Sequence, residues 1–207
     1  GRKDQRPKAQ GLQPLGFLMM SIRRWSNAMS SDPNRRWYHC VLTTYGAWLP
    51  GDPRGFRTRH HREHVEGDYK HPPPPGTYDA RHQRSEQLQR FPAVTLATAE
   101  RALLGRECVR QCQTGGIEVI ALAVAGQHVH LQFQCDPQQV IATLGKLKRA
   151  MWYARRQAGN ESRLWGRGRK IVPIRSREHQ ERVFRYILAH RREGAWVWCY
   201  RDGFDLD

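Results

Sequence analysis

Long apolar runs are missing from this 207-residue chain. The longest early one, Leu15 to Met20, falls far short of the roughly 20 residues that cross a bilayer. No small-residue cleavage pattern follows it, so neither a membrane span nor a signal peptide is expected. Acidic side chains are scarce as well: 19 Asp and Glu stand against 35 Lys and Arg, a formal net charge of +16. That imbalance favours a polyanionic partner, most simply nucleic acid. No basic amphipathic helix dominates, so a membrane surface is not expected as a partner. Cysteine is sparse and unpatterned. Cys40, Cys108, Cys112, Cys135 and Cys199 are odd in number and scattered, and the Cys108/Cys112 pair has no second Cys/His pair at zinc-finger spacing. Reduced structural thiols in a cytoplasmic protein are the expectation.

What the chain does contain is Gly126-Gln127-His128-Val129-His130-Leu131-Gln132-Phe133-Gln134, which alternates in polarity. On a β-strand, His128 and His130 point the same way, Gln132 and Gln134 continue their face, and Val129, Leu131 and Phe133 form an apolar face. Two imidazoles side by side on a strand make half of a metal site, open to further ligands and to substrate.

The surrounding pattern is that of one domain. Residues 1–35 are basic and unpatterned, a flexible arm. Residues 36–198 carry alternating strand and helix signals, interrupted at about 50–91 by a long irregular insertion rich in His, Arg and Pro. The insertion's His60, His61, His64 and His71 read as solvated. Residues 199–207 are a tail. Residues 37–45 predict a strand and Thr95 to about Gly115 a helix with Leu96, Ala99, Leu103 and Leu104 inward. The apolar run 117–125 turns through Gly126-Gln127 into the histidine strand. A basic helix follows from Asp136 as cap and Pro137 as first residue to Gly159. Residues 164–169 read as a turn, 170–174 as a short strand, and 177 to about 192 as a last helix capped by Ser176. The order is that of an α+β domain, a βαββαβ antiparallel sheet with helices on one face and an extra C-terminal helix.

That last helix carries Arg185-Tyr186-Ile187-Leu188-Ala189-His190. Tyr186 and His190 are four residues apart and share a face one turn apart. A tyrosine beside a third histidine is what a phenolate nucleophile next to a metal needs. Because a phenol titrates near 10, a cation such as Arg185, Lys146 or the metal must help it ionise. Tyr153, in the basic helix, is the rival nucleophile.

Taken together, Gln127-His128-Val129-His130-Leu131, the basic helix, Leu164-Trp165-Gly166-Arg167-Gly168 and Arg185-Tyr186-Ile187 resemble the IS200-like single-tyrosine transposases. The branch associated with repetitive extragenic palindromes (REP) is the one meant. These are HUH endonucleases, where U is a bulky hydrophobe and Val129 fills that place. The resemblance covers about residues 37–192. It implies a ferredoxin-like fold in a prokaryotic, nucleoid-associated protein that cuts and rejoins hairpin-bearing single-stranded DNA. It also implies His128 and His130 on a divalent metal, Mg²⁺ or Mn²⁺, and Tyr186 forming a 5′-phosphotyrosine. Where relatives carry Gln or Asn four residues after the tyrosine, this chain has His190, which can still ligate and favours the softer Mn²⁺. Such proteins often act as homodimers. Lys146, Lys148, Arg149, Arg155, Arg167, Arg169 and Lys170 are the candidate phosphate contacts, and Trp152 and Trp165, with Tyr153, the candidate stacking rings. Histidine-triad hydrolases need a longer histidine series, and two-histidine phosphodiesterases a second HxT/S motif, which is absent. The alternatives are a DNA-hairpin-binding protein of the same fold that has lost turnover, and an RNA-binding module.

Overall fold

Residues 34–52 and 74–203 are described by the computed structural model; residues 1–33 and the histidines at 60, 61, 64 and 71 lie outside them. The strands are β1 (Arg36–Thr44), β2 (Glu118–Val124), β3 (His128–Cys135), β4 (Trp165–Pro173) and β5 (Trp196–Cys199). The helices are α1 (Asp79–Gln87), α2 (Thr98–Thr114), α3 (Val140–Gln157) and α4 (Arg177–Ala189), the last continued by a 3₁₀ turn, His190–Glu193. One antiparallel sheet runs in the order β4-β1-β3-β2-β5. This is the α+β arrangement expected from the element order, with β5 added at the edge beside β2 where a tail was expected to begin.

The period of two in β3 separates two chemistries. Val129, Leu131 and Phe133 are fully buried in one cluster with Leu104, Cys108 and Cys112 of α2 and Leu144, Leu147 and Met151 of α3. The opposite face meets α4, where Val183 and Ile187 pack on Ala121 and Ala123 of β2. The amphipathic pattern of α4 is thus satisfied by the sheet face that carries the histidines. Ser176 caps α4 as expected, its Oγ accepting from the His179 N–H at 3.1 Å. The β2–β3 turn is pinned from outside. Gly126 O accepts from Leu96 N–H at 2.7 Å, and Gln127 O accepts from the Thr44 N–H at 2.9 Å. These bonds fix the point at which His128 enters the sheet.

Several expectations are corrected. The 164–169 stretch is strand, not turn: its glycines serve close strand approach, since a Cβ on Gly166 would sit 2.8 Å from Thr44 O. The basic helix begins at Val140; Asp136 instead closes a turn, its Oδ1 accepting from Gln138 N–H at 2.7 Å, with Pro137 inside it. Helix α2 begins at Thr98, so its buried stripe is Leu104, Gly105, Cys108, Val109 and Cys112, while Ala99 is exposed. Within the insertion, α1 is helical although none of its residues is buried, so it lacks the apolar period by which a helix is read. The segment before it holds a defined turn: Asp52 N–H donates to Leu49 O at 3.0 Å, with Pro50 and Gly51 (φ +90°) between, a type II turn. All five cysteines are free and buried, and no helix among the described residues is long and apolar enough to cross a membrane.

Candidate metal and tyrosine site

Strand β3 presents His128 and His130 to α4, and the end of α4 brings Tyr186 and His190 to them. One ligand nitrogen from each of His128, His130 and His190 lies within 4.8 Å of the others. The Tyr186 ring sits 5.2 Å from that of His130 and 4.8 Å from that of His190, centroid to centroid. His130 and His190 are buried, whereas Tyr186 is half exposed, so the phenol borders solvent on one side and the histidines on the other.

The hydrogen bonds around the rings prepare them to ligate. At His190 the backbone leaves the α pattern, its N–H turning to Ile187 O. The Tyr186 carbonyl accepts from His190 Nδ1 at 3.0 Å instead. A carbonyl only accepts, so Nδ1 carries the proton and Nε2 keeps its lone pair. His130 Nδ1 pairs with His39 Nε2 at 3.0 Å. If His130 is to ligate through Nε2, Nδ1 must donate, and His39 is its acceptor. Burial, reinforced by His128, His190, His39 and Lys170, pushes His130 down to about 2. Burial, with Lys170, His179 and His190, pushes His39 down to about 4. Both rings are neutral at pH 7, the state a metal requires. Three imidazoles, two of them braced at Nδ1, offer a donor set that fits a divalent ion of intermediate softness.

His39 is the residue that the sequence did not single out. It lies on β1 opposite Gln132, on the same sheet face as His130, and its ring is 5.9 Å from that of Tyr186. Replacing the acceptor of a ligating histidine typically weakens metal binding about 10- to 100-fold. His39→Ala is therefore expected to weaken Mn²⁺ binding by that factor in calorimetric titration. His39→Gln, whose amide oxygen accepts the same bond, is expected to keep most of it. Equal affinities for all three proteins would remove His39 from the site.

The other candidates divide. Arg167, Arg169 and Lys170 are exposed on β4. Lys170 pairs with Val41, which pairs with His130, so its charge lies two strands from the ligand. Lys146 and Arg149 are exposed too, but on α3, across the sheet from the histidines. Tyr153 shares that side and is not brought near them, and Trp152 packs against the core there. Lys148 and Trp165 interlock: Lys148 Nζ donates to Gly166 O at 3.0 Å, and Trp165 Nε1 donates to Lys148 O at 2.7 Å. This clasp holds α3 to β4 and engages polar groups of both residues that were expected to meet DNA.

Arg155 is likewise corrected. It is buried, donating to Glu100 Oε1 and Ser162 Oγ, each at 2.8 Å, while Glu100 Oε2 accepts the Ala97 N–H at the start of α2. It ties the end of α3 to the start of α2. Arg155→Ala strands part of that charge and is expected to lower the unfolding free energy by about 3 kcal/mol, read from denaturant melts. Affinity of the folded protein for single strands should not change. Lost affinity at full stability would return Arg155 to the DNA surface.

Neither Arg185 nor Lys146 supports ionisation of Tyr186. Burial, then the charge of Glu193, pushes its phenol above the usual value of 10.0, and the Arg185 guanidinium donates to Glu181 O.

No established family description matches the sequence, and no curated protein does. Several solved structures are similar to it, among them these two. One is a REP-associated tyrosine transposase bound to a REP hairpin, at 10% identity and a TM-score of 0.41 over 77% of this chain and 68% of that one. The other is a chain from Deinococcus radiodurans R1, provisionally assigned as a transposase, at 16% identity and a TM-score of 0.32 over 77% of this chain and 93% of that one.

Proposed function

We propose that this chain is a metal-dependent nicking and joining enzyme for hairpin-bearing single-stranded DNA, of the single-tyrosine transposase type. The observation that carries the reading is the convergence of His128, His130, His190 and Tyr186 from one strand and one helix end. The ordered motifs that resemble that family, and the net charge of +16, support it.

In this reading Tyr186 Oη attacks the scissile phosphorus. Its proton leaves to solvent, the bond to the 3′ oxygen breaks, and that oxygen takes up a proton. The products are a 5′-phosphotyrosine and a free 3′-OH. Attack by another strand's 3′-OH reverses the step, so joining consumes no nucleotide. His128, His130 and His190 hold Mn²⁺ or Mg²⁺, and a divalent ion so held supplies Lewis-acid polarisation and charge neutralisation at the phosphate. His39 and the Tyr186 carbonyl orient two of those ligands. Tyr186 lies beside the histidines of its own chain, which supports a site completed within one chain.

The test is incubation with labelled hairpin-flanked single strands and Mn²⁺ or Mg²⁺. A covalent protein–DNA adduct that survives denaturation is expected. Salt-dependent hairpin binding with no adduct under either metal would instead identify a binding protein without turnover.

A further inference from the structure

Beside the histidines lies a cavity of about 460 Å³ that the proposed chemistry leaves unused. Its floor includes Val41 and Thr43 of β1, which pair directly with His130 and His128. Neighbouring strands are about 5 Å apart, so the cavity opens one strand away from the candidate ligands, on their face of the sheet. Its far wall is β4, where Gly166 and Gly168 bring no side chain and where the exposed Lys170, opposite Val41, shares the histidine face; Arg167 and Arg169 alternate to the other face, Arg169 opposite Leu42. Trp48 contributes the remaining wall.

Trp48 is unusual in its backbone. It has φ of +63°, alone among the described non-glycine residues in being positive. A bulky side chain rarely takes that conformation, and such outliers concentrate where function requires them. The same stretch uses glycine at its other positive-φ positions, Gly46 (+76°) and Gly51 (+90°), where a Cβ would also crowd Ala93 and His82. At position 48 the backbone is held left-handed with an indole on it, and that indole is 45% exposed at the cavity. A ring kept half in water on a disfavoured backbone, lining a cavity shared with Lys170, has the composition of a nucleotide subsite, a stacking platform with a phosphate partner.

We infer that this cavity binds one unpaired nucleotide of the DNA strand whose neighbouring phosphate lies at the histidines, its base stacked on Trp48 and its phosphate held by Lys170. The inference rests on the proposed function for the identity of the strand. The cavity's size falls within the range of about 300–1,000 Å³ typical of small-ligand pockets. Charge complementarity with Lys170 and continuity with the histidine face select this occupant over an apolar peptide, which would leave that cation unmatched. Because every base has a π face, the subsite is tolerant of sequence, and it positions the strand without reading it.

The experiment uses the full chain and a 12-nucleotide oligothymidylate with a single internal 2-aminopurine and a terminal fluorescein. Anisotropy reads affinity and 2-aminopurine fluorescence reads stacking. Trp48→Ala is expected to weaken binding roughly 5- to 100-fold and to relieve the quenching, whereas Trp48→Phe keeps affinity within about threefold. Lys170→Ala is expected to reduce the slope of log affinity against log salt by about one. Trp48→Gly separates stacking from structure. It removes the ring and relaxes the backbone, so its melting temperature should equal or exceed that of the parent while affinity falls as in Trp48→Ala. Parental affinity in Trp48→Gly or Trp48→Ala overturns the proposal. Binding is read without turnover, so loss of affinity in these variants upholds the subsite even where no covalent adduct ever forms. Adduct formation with unchanged affinity refutes the subsite alone.

Discussion

Replacing Tyr186 with Phe is expected to abolish covalent capture of DNA, lowering the rate by a factor on the order of 10⁴ or more, while metal and strand binding stay within about twofold of the parent. Phe keeps the ring that packs near His130 and His190 and removes only Oη, so the fold should not respond. Denaturing gels of labelled strands read the adduct, and calorimetry with Mn²⁺ reads the site. An adduct in Tyr186→Phe would transfer the nucleophile elsewhere, and Tyr153, 50% exposed on the far side of the sheet, would be the next residue to replace. The pH dependence has a definite sign. Burial and Glu193 raise the Tyr186 phenol, so the attacking phenolate is the minor form at neutral pH. Its population rises tenfold per unit below the phenol's pKa. Adduct formation should therefore accelerate from about pH 6 to about pH 9. Glu193→Gln removes an exposed negative charge and should speed the reaction at fixed pH by about twofold.

The parts of this arrangement that were legible in the sequence are those set by local geometry. Alternation put His128 and His130 on one face of β3 and Val129 on the other, because a strand allows nothing else. Four-residue spacing put Tyr186 and His190 together for the same reason on a helix, and Ser176 sits at its cap position. What escaped depends on register and tertiary contact. His39 joins His130 only because β1 pairs with β3 so that Val41 faces His130, and no property of residues 37–45 announces that offset. Gly166 and Gly168 read as turn formers, yet they lie in a strand: at Gly166 the Thr44 carbonyl comes too close for a side chain, and at Gly168 a Cβ would crowd the Thr43 hydroxyl. Arg155, Lys148 and Trp165 show charge and rings in the sequence, but not that Glu100, Gly166 and the Lys148 carbonyl take up their polar groups. Positive charge in a basic protein says what kind of partner to expect; which cations remain for it is decided by packing.

Removing any one of the three histidines should have the second large effect. His130→Ala takes a buried imidazole from the trio, 5% exposed against the partly exposed His128, and leaves its acceptor His39 without a donor. Mn²⁺ affinity is expected to fall by more than about 100-fold, beyond what loss of an outer partner produces, and covalent capture should disappear with it. His190→Gln provides the contrast. An amide oxygen is a harder donor than imidazole, so this variant should keep a site but shift its preference from Mn²⁺ toward Mg²⁺. Titrations with each ion read this directly; an unchanged preference would place His190 outside the coordination sphere. Stability carries an independent signature. Because folding holds His130 at about 2 and His39 at about 4, against about 6.5 in an unfolded chain, the metal-free unfolded state binds more protons at any pH below about 6.5. Neither ring affects stability above that value, and the fold loses stability as pH falls from about 6.5 toward the depressed values. The metal-free protein should thus melt at progressively lower temperature between about pH 7 and about pH 5. His130→Ala should show a shallower decline, since one of the two rings that refuse the proton is gone. A decline as steep as the parent's would mean that His130 is not held neutral by its burial, and that the site is less prepared for a cation than its geometry requires.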